Sequence, residues 1–192
     1  MKNRIILIAG PKCSGKSMCA RALGKLIGAE SVDLDEIVED LTGKTPRVLY
    51  KEGPEIFRKA EVLALASQIR STEHDVPVEP GDASRRGQRI QIIAAGGGLI
   101  DNPEALALLF GHSEIITVYL DVSPETAWDR ITLADAELPP FLNTENPKET
   151  HLALHKRRAE AYKAFAGLTV SAENKSPQEI AGEIARSLHK PN

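Results

Sequence analysis

Residues 10–17 read Gly10-Pro11-Lys12-Cys13-Ser14-Gly15-Lys16-Ser17, the pattern G-x-x-x-x-G-K-S. The pattern follows the apolar run Ile5-Ile6-Leu7-Ile8-Ala9 and precedes a helical periodicity, which is the strand–loop–helix context of a phosphate-binding loop. Gly10 and Gly15 let the backbone turn where a Cβ would clash. The turn points successive N–H groups inward as a nest for phosphate oxygens, and the helix that follows aims its positive end at the same place. Lys16 is placed to reach the β- and γ-phosphates, and the Ser17 hydroxyl to ligate Mg²⁺. The nucleotide-contacting set is therefore Gly10, Lys12, Cys13, Ser14, Gly15, Lys16, Ser17 and Met18.

Downstream, strand-like and helical patterns alternate. Strands are expected at 4–9, 31–34, 90–95, 114–120 and 168–171. Helices are expected at 17–27, 35–42, 54–70, 103–109, 124–134, 148–166 and 177–189. Such alternation gives a three-layer α/β/α fold, a five-stranded parallel sheet with helices on both faces. The chain has 192 residues, 42% of them hydrophobic, enough for one sizeable core and a single domain over residues 1–192. Two segments break the rhythm. Residues 71–89 hold Pro77, Pro80, Gly81 and Gly87 among many charges and read as an exposed inserted loop. Residues 138–147 carry Pro139, Pro140 and Pro147 between two helices.

Net charge is −3 with signs mixed along the helices, so no basic stripe offers a nucleic-acid surface. The N-terminal apolar run is too short to cross a membrane. Cys13 and Cys19 are the only cysteines and form no disulfide framework, which suits a reducing cytoplasm. The expectation is a cytoplasmic monomer that binds neither nucleic acid nor membrane.

Four features beyond the loop carry chemistry. Asp33-Leu34-Asp35 ends the second strand beside the phosphate loop, where a metal and an acceptor hydroxyl would meet; the plain alternative is an acidic helix start with Asp35 as the cap. Arg58 and Glu61 stand three apart on one helix face, so they can pair and leave Arg58 a fixed fork for a carboxylate. Gly96-Gly97-Gly98 follows a buried strand and opens the backbone to a ligand. Arg157-Arg158 and Tyr162 lie on the helix after the proline-rich segment and can bring a cation back over the site; taken alone they read as a surface face. Asn174-Lys175-Ser176-Pro177 lacks the Asp of a guanine-reading N-K-x-D, which argues against a GTPase. His151 and His155 stand at i, i+4, a spacing that can hold a metal, but no third ligand accompanies them and a solvated helix face is the expectation.

Together these residues resemble the shikimate kinase family, whose order is P-loop, D-x-D, G-x-x-x-F-R-x-x-E, G-G-G, a lid with R-P-[LF]-L, then R-x-P-x-Y. The chain supplies Gly10–Ser17, Asp33-x-Asp35, Gly53 through Phe57-Arg58 to Glu61, and Gly96–Gly98. The resemblance spans nearly the whole chain apart from residues 71–89. It implies the P-loop nucleoside triphosphate hydrolase-like fold, with substrate-binding helices over about 35–70 and a lid over about 135–148. It also implies transfer of phosphate from ATP, with Mg²⁺, to the 3-hydroxyl of shikimate. Catalysis would rest on Lys16, Asp35 and Arg58. Asp35, Arg58, Gly96, Gly97, Gly98 and Arg158 would hold shikimate, Ser17 and Asp33 the metal, and Arg130 would stack on adenine.

Three positions depart from the family pattern. Pro139 stands where the lid arginine is expected, Glu160 replaces the proline of R-x-P-x-Y, and Pro54 follows Gly53 where Glu is usual. The lid substitution leaves open another cation, Lys148 and Arg130 being nearest in sequence, or weak catalysis, or a different acceptor. The alternatives in function are a kinase for another small hydroxy acid, gluconate-like, and a catalytically weak nucleotide-binding paralogue.

Overall fold

The computed structural model describes residues 4–73, 90–134 and 137–188. The strands are β1 (Arg4–Ala9), β2 (Glu30–Asp33), β3 (Ile90–Ala94), β4 (Ile115–Asp121) and β5 (Leu168–Ser171). They form one sheet in the order β2-β3-β1-β4-β5, with every pairing parallel. The helices are α1 (Lys16–Ile27), α2 (Leu34–Thr42), α3 (Pro46–Glu52), α4 (Pro54–Glu73), α5 (Pro103–Phe110), α6 (Pro124–Ala134), α7 (Pro147–Phe165) and α8 (Pro177–Leu188).

A parallel sheet is covered on both faces, so its central strands are apolar on both sides rather than alternating. β1 shows this: Ile5, Leu7 and Ala9 join a core with α2, α4, α5 and α7, while Ile6 and Ile8 join a second core with α1 and α8. Tyr119 and Tyr162 stack in the first core at 5.2 Å. The second core seats Cys19, where burial pushes the thiol up to about 12 and leaves it inert.

Both cores matter for the site because the chain changes face at the centre of the sheet. The loop after β1 leads to α1 on one face, and the loop after β3 leads to α5 on the other. β1 and β3 are neighbours, so their carboxyl ends open a crevice between two diverging loops, where ligands bind in open α/β sheets.

The expected strands are all present within two residues of their expected ends. α3 was not expected. Thr45 caps it by accepting from Val48 N, Pro46 starts it, and Gly53 follows its last residue. Residues 71–73 continue α4 rather than opening a loop; the rest of the expected insertion, 74–89, lies outside the described residues, as does His189.

Candidate active site

The phosphate loop folds as its glycines demand. Gly10 has φ +152°, and a Cβ there would stand 2.9 Å from both Leu120 O and Ser14 Oγ. Gly15 caps α1 at φ +93°, and Cys13 takes the left-handed region at φ +61°. Ser14 is buried and its Oγ has no protein partner. A buried hydroxyl left over in a nest of N–H groups fits an anion. Lys16 is also buried, and its Nζ donates to Pro11 O at 2.8 Å, which holds the ammonium over the loop. Burial lowers its pKa to about 8, against the pull of Asp35 and Asp33.

Ser17 Oγ donates to Asp33 Oδ2, so the two expected metal-holding groups are in contact. Asp33 Oδ1 accepts from Asp35 N and caps α2. The cap is thus Asp33, not Asp35, because the first residue of the D-x-D pair is the one with extended backbone outside the helix. Asp35 is released from capping and lines the cleft. Burial raises its pKa and the neighbouring Asp33 raises it further, while Lys16 and Lys12 oppose. An oxygen-only donor set of Ser17 and Asp33 fits Mg²⁺.

A cleft of about 390 Å³ joins these groups. One wall is Lys12, Cys13, Gly15, Lys16, Ser17 and Met18; another is Asp35, Gly96, Gly97, Gly98 and Arg158; the roof is Pro46, Arg47, Tyr50, Pro139, Pro140 and Phe141. Its size falls in the range of small-ligand sites. All three glycines pass close to a neighbour, and at Gly97 that neighbour is backbone, which cannot give way. A Cβ on Gly96 would stand 2.7 Å from Glu61 Oε1 and 3.3 Å from Asp35 Oδ1; on Gly97, 2.9 Å from Lys12 N; on Gly98, 3.2 Å from Arg158 Nη2. Gly97 therefore locks the β3 loop onto the phosphate loop.

Arg158 is fixed on three sides. Its Nε donates to Asp101 Oδ2 at 2.8 Å, its Nη1 to Gly97 O at 3.3 Å, and its guanidinium lies over the Phe141 ring at 5.5 Å. Burial pushes Asp101 up, but the hydrogen bonds and charges of Arg157 and Arg158 outweigh it and hold the carboxyl below its usual range. Tyr162 is buried beneath, with its hydroxyl donating to Gly97 O at 3.4 Å. Arg157 alone is the exposed face that the sequence suggested.

Arg58 lines an adjoining pocket of about 270 Å³ with Glu61, Arg157 and Arg158, sharing Tyr50, Phe57, Gly98 and Phe141 with the main cleft. The expected pairing of Arg58 with Glu61 is replaced. Glu61 is buried, Asn102 Nδ2 donates to its Oε2 at 2.9 Å, and its Oε1 has no hydrogen-bond partner. Burial raises Glu61 to about 7, with Asn102 opposing and Asp35 adding to the rise. Arg130 donates to Cys13 O at 3.4 Å and so flanks the phosphate loop from outside the cleft.

His151 and His155 correct their expectation: both are buried. His151 Nε2 bonds Pro124 O at 2.9 Å and His155 Nε2 bonds Val122 O at 3.0 Å, tying α7 to the turn between β4 and α6. A carbonyl only accepts, so each Nε2 carries the hydrogen. Among the described residues no group of three or more His, Cys, Asp or Glu is placed to hold a metal.

The family model described as shikimate kinase matches residues 12–189. The shikimate kinase of Thermobifida fusca is 34% identical over 95% of this chain and 93% of its own. That of Salinispora arenicola is 32% identical over 96% of this chain and 97% of its own. The chain belongs to the shikimate kinase family. The structure of an Acinetobacter baumannii shikimate kinase in complex with shikimate is 26% identical, covers 97% of this chain and 93% of that one, and superposes with a TM-score of 0.78. The Aquifex aeolicus enzyme gives 27% and 0.69 over 96% of this chain and 95% of that one. A shikimate kinase transfers phosphate from ATP to shikimate, and the fold and class of enzyme expected from the sequence are those of the family. Nothing in these likenesses favours the gluconate-like or catalytically weak alternatives.

Proposed function

We propose that the cleft phosphorylates the 3-hydroxyl of shikimate, and that its residues divide the work by wall. Lys12, Lys16 and the backbone N–H groups from Cys13 to Met18 hold the ATP phosphates, and Arg130 flanks the adenine. Asp35, Arg58, Gly96, Gly97, Gly98 and Arg158 hold shikimate, the arginines taking its carboxylate. Ser17 and Asp33 hold Mg²⁺, which neutralises charge on the phosphates when bound. Asp35 takes the proton of the acceptor hydroxyl as its oxygen forms a bond to the γ-phosphorus and the bond to ADP breaks. A pKa raised by burial suits a group that must accept a proton near neutrality. Lys16 stabilises the charge that spreads over the γ-phosphoryl oxygens. The chain acts as one domain, a cytoplasmic monomer independent of nucleic acid and membrane; no helix among the described residues is long and apolar enough to cross a membrane.

The observation that carries this reading is the convergence of Lys16 and the Ser17–Asp33 contact with Asp35, Gly97 and Arg158 in one cleft. Asp35→Asn tests the assignment: kcat falls by roughly 10²–10⁴-fold while the shikimate Kd stays within a few-fold. Retention of wild-type kcat by Asp35→Asn contradicts it.

A further inference from the structure

Arg47 joins two parts of the site that the sequence keeps far apart. Its Nη2 donates to Glu137 O at 3.0 Å and its Nη1 to Leu138 O at 3.3 Å, and Nη1 also meets the Glu137 carboxylate at 3.2 Å. The partners lie 90 and 91 residues away. The carboxylate is 75% exposed, so its charge pair contributes little; the two carbonyl bonds give direction. A planar guanidinium suits successive carbonyls, which a lysine meets one at a time. The contact is continued by Tyr50, one turn on, whose ring faces Phe57 at 6.2 Å and Phe141 at 6.4 Å. Beyond Leu138 the strap is seated by buried Pro139 and Leu142. α3 therefore carries, on one face, both a hydrogen-bonded and an aromatic grip on residues 137–142, of which Pro139, Pro140 and Phe141 line the cleft together with the phosphate loop.

We propose that Arg47 is a positioning residue that fastens the 137–142 strap to the acceptor-side helices, so that strap position and acceptor binding are one coupled equilibrium. The proposal rests on the reading of the cleft as an ATP and shikimate site. A fastener of this kind makes each substrate tighten the other by the same factor, because coupling between sites is reciprocal. Removal of the fork separates the two responses while leaving each half of the site in place.

Calorimetry with a non-hydrolysable ATP analogue and Mg²⁺, with and without shikimate, reads the coupling factor. Wild type shows mutual tightening of about fivefold or more. Arg47→Ala brings the factor to within about twofold of unity with binary affinities changed by less than about threefold, Arg47→Lys restores part of it, and Glu137→Gln keeps it. Thermal melting of each variant separates loss of fold from loss of coupling. An unchanged factor in Arg47→Ala overturns the proposal, as does a fall in kcat with coupling intact, which would make Arg47 a cation acting on phosphate. Absence of any shikimate-dependent turnover by wild type would instead overturn the reading of the site.

Discussion

Lys16 must be charged to attract phosphate, yet burial lowers its pKa to about 8. The protonated form is therefore lost from the free enzyme as pH rises through about 8. The kcat/KM for ATP is expected to show an alkaline limb near that value, because this ratio reports the free enzyme's groups. Lys16→Ala removes the limb and costs on the order of 10²–10³-fold in kcat. Gly97→Ala drives a methyl to 2.9 Å from Lys12 N, a backbone atom that cannot swing away, and is expected to lower stability by about 1–3 kcal/mol in denaturant titration and to displace the phosphate loop. The phosphate-loop residues were legible in the sequence because a nest needs Gly10 and Gly15; Gly97 was read as opening the backbone to a ligand, and its close contact with Lys12 N appears only in the fold. What the sequence left open is partnership across elements. Asp33 and Asp35 sit one residue apart, and only the backbone turn shows that Asp33 caps while Asp35 faces the cleft. Glu61 lies within reach of Arg58 in sequence, but Asn102, 41 residues on, is the donor it meets.

The helices carry the second lesson. α3 has a start signal in Thr45-Pro46 and a stop in Gly53, but at seven residues it is too short for apolar periodicity to declare it. Its absence from the sequence reading hid Arg47, which has no motif to mark it. α7 hid its buried face in another way. His151 and His155 stand among Lys, Glu and Arg, so spacing alone could not tell a buried pair from a solvated one. Burial lowers the pKa of both histidines. Below their ordinary value of 6.5 the unfolded chain binds protons that the fold refuses, so their contribution to stability falls as pH drops through that point. Glu61, raised to about 7, works in the opposite sense between pH 7 and 5, so the histidines are read from a difference: the Tm of wild type is expected to fall relative to that of His155→Gln as pH drops, the glutamine amide still being able to donate to Val122 O. An equal slope in the variant would remove His155 from the account.

At the scale of the whole molecule, the order β2-β3-β1-β4-β5 decides where chemistry happens. Alternating strand and helix patterns foretold the five parallel strands and both helical layers, because burial on two faces leaves apolar runs that are hard to misread. The sequence could not say that the loops after β1 and β3 part to opposite faces and open the crevice between them, since that follows from which strands become neighbours. Nor could it show how the strap is held: with Pro139 where the family lid has an arginine, Arg47 grips the strap through the carbonyls of Glu137 and Leu138, and among the described residues Lys12, Lys16 and Arg158 also line the cleft. The central claim is that this cleft moves phosphate from ATP to shikimate. The direct test is turnover of purified protein with Mg-ATP across a panel of acceptors, following ADP release and the ³¹P spectrum of the product. The account predicts ADP release that depends on shikimate and matches formation of shikimate 3-phosphate one for one, with gluconate inert. ADP release that is indifferent to shikimate, or a phosphorylated product from another acceptor alone, would contradict it.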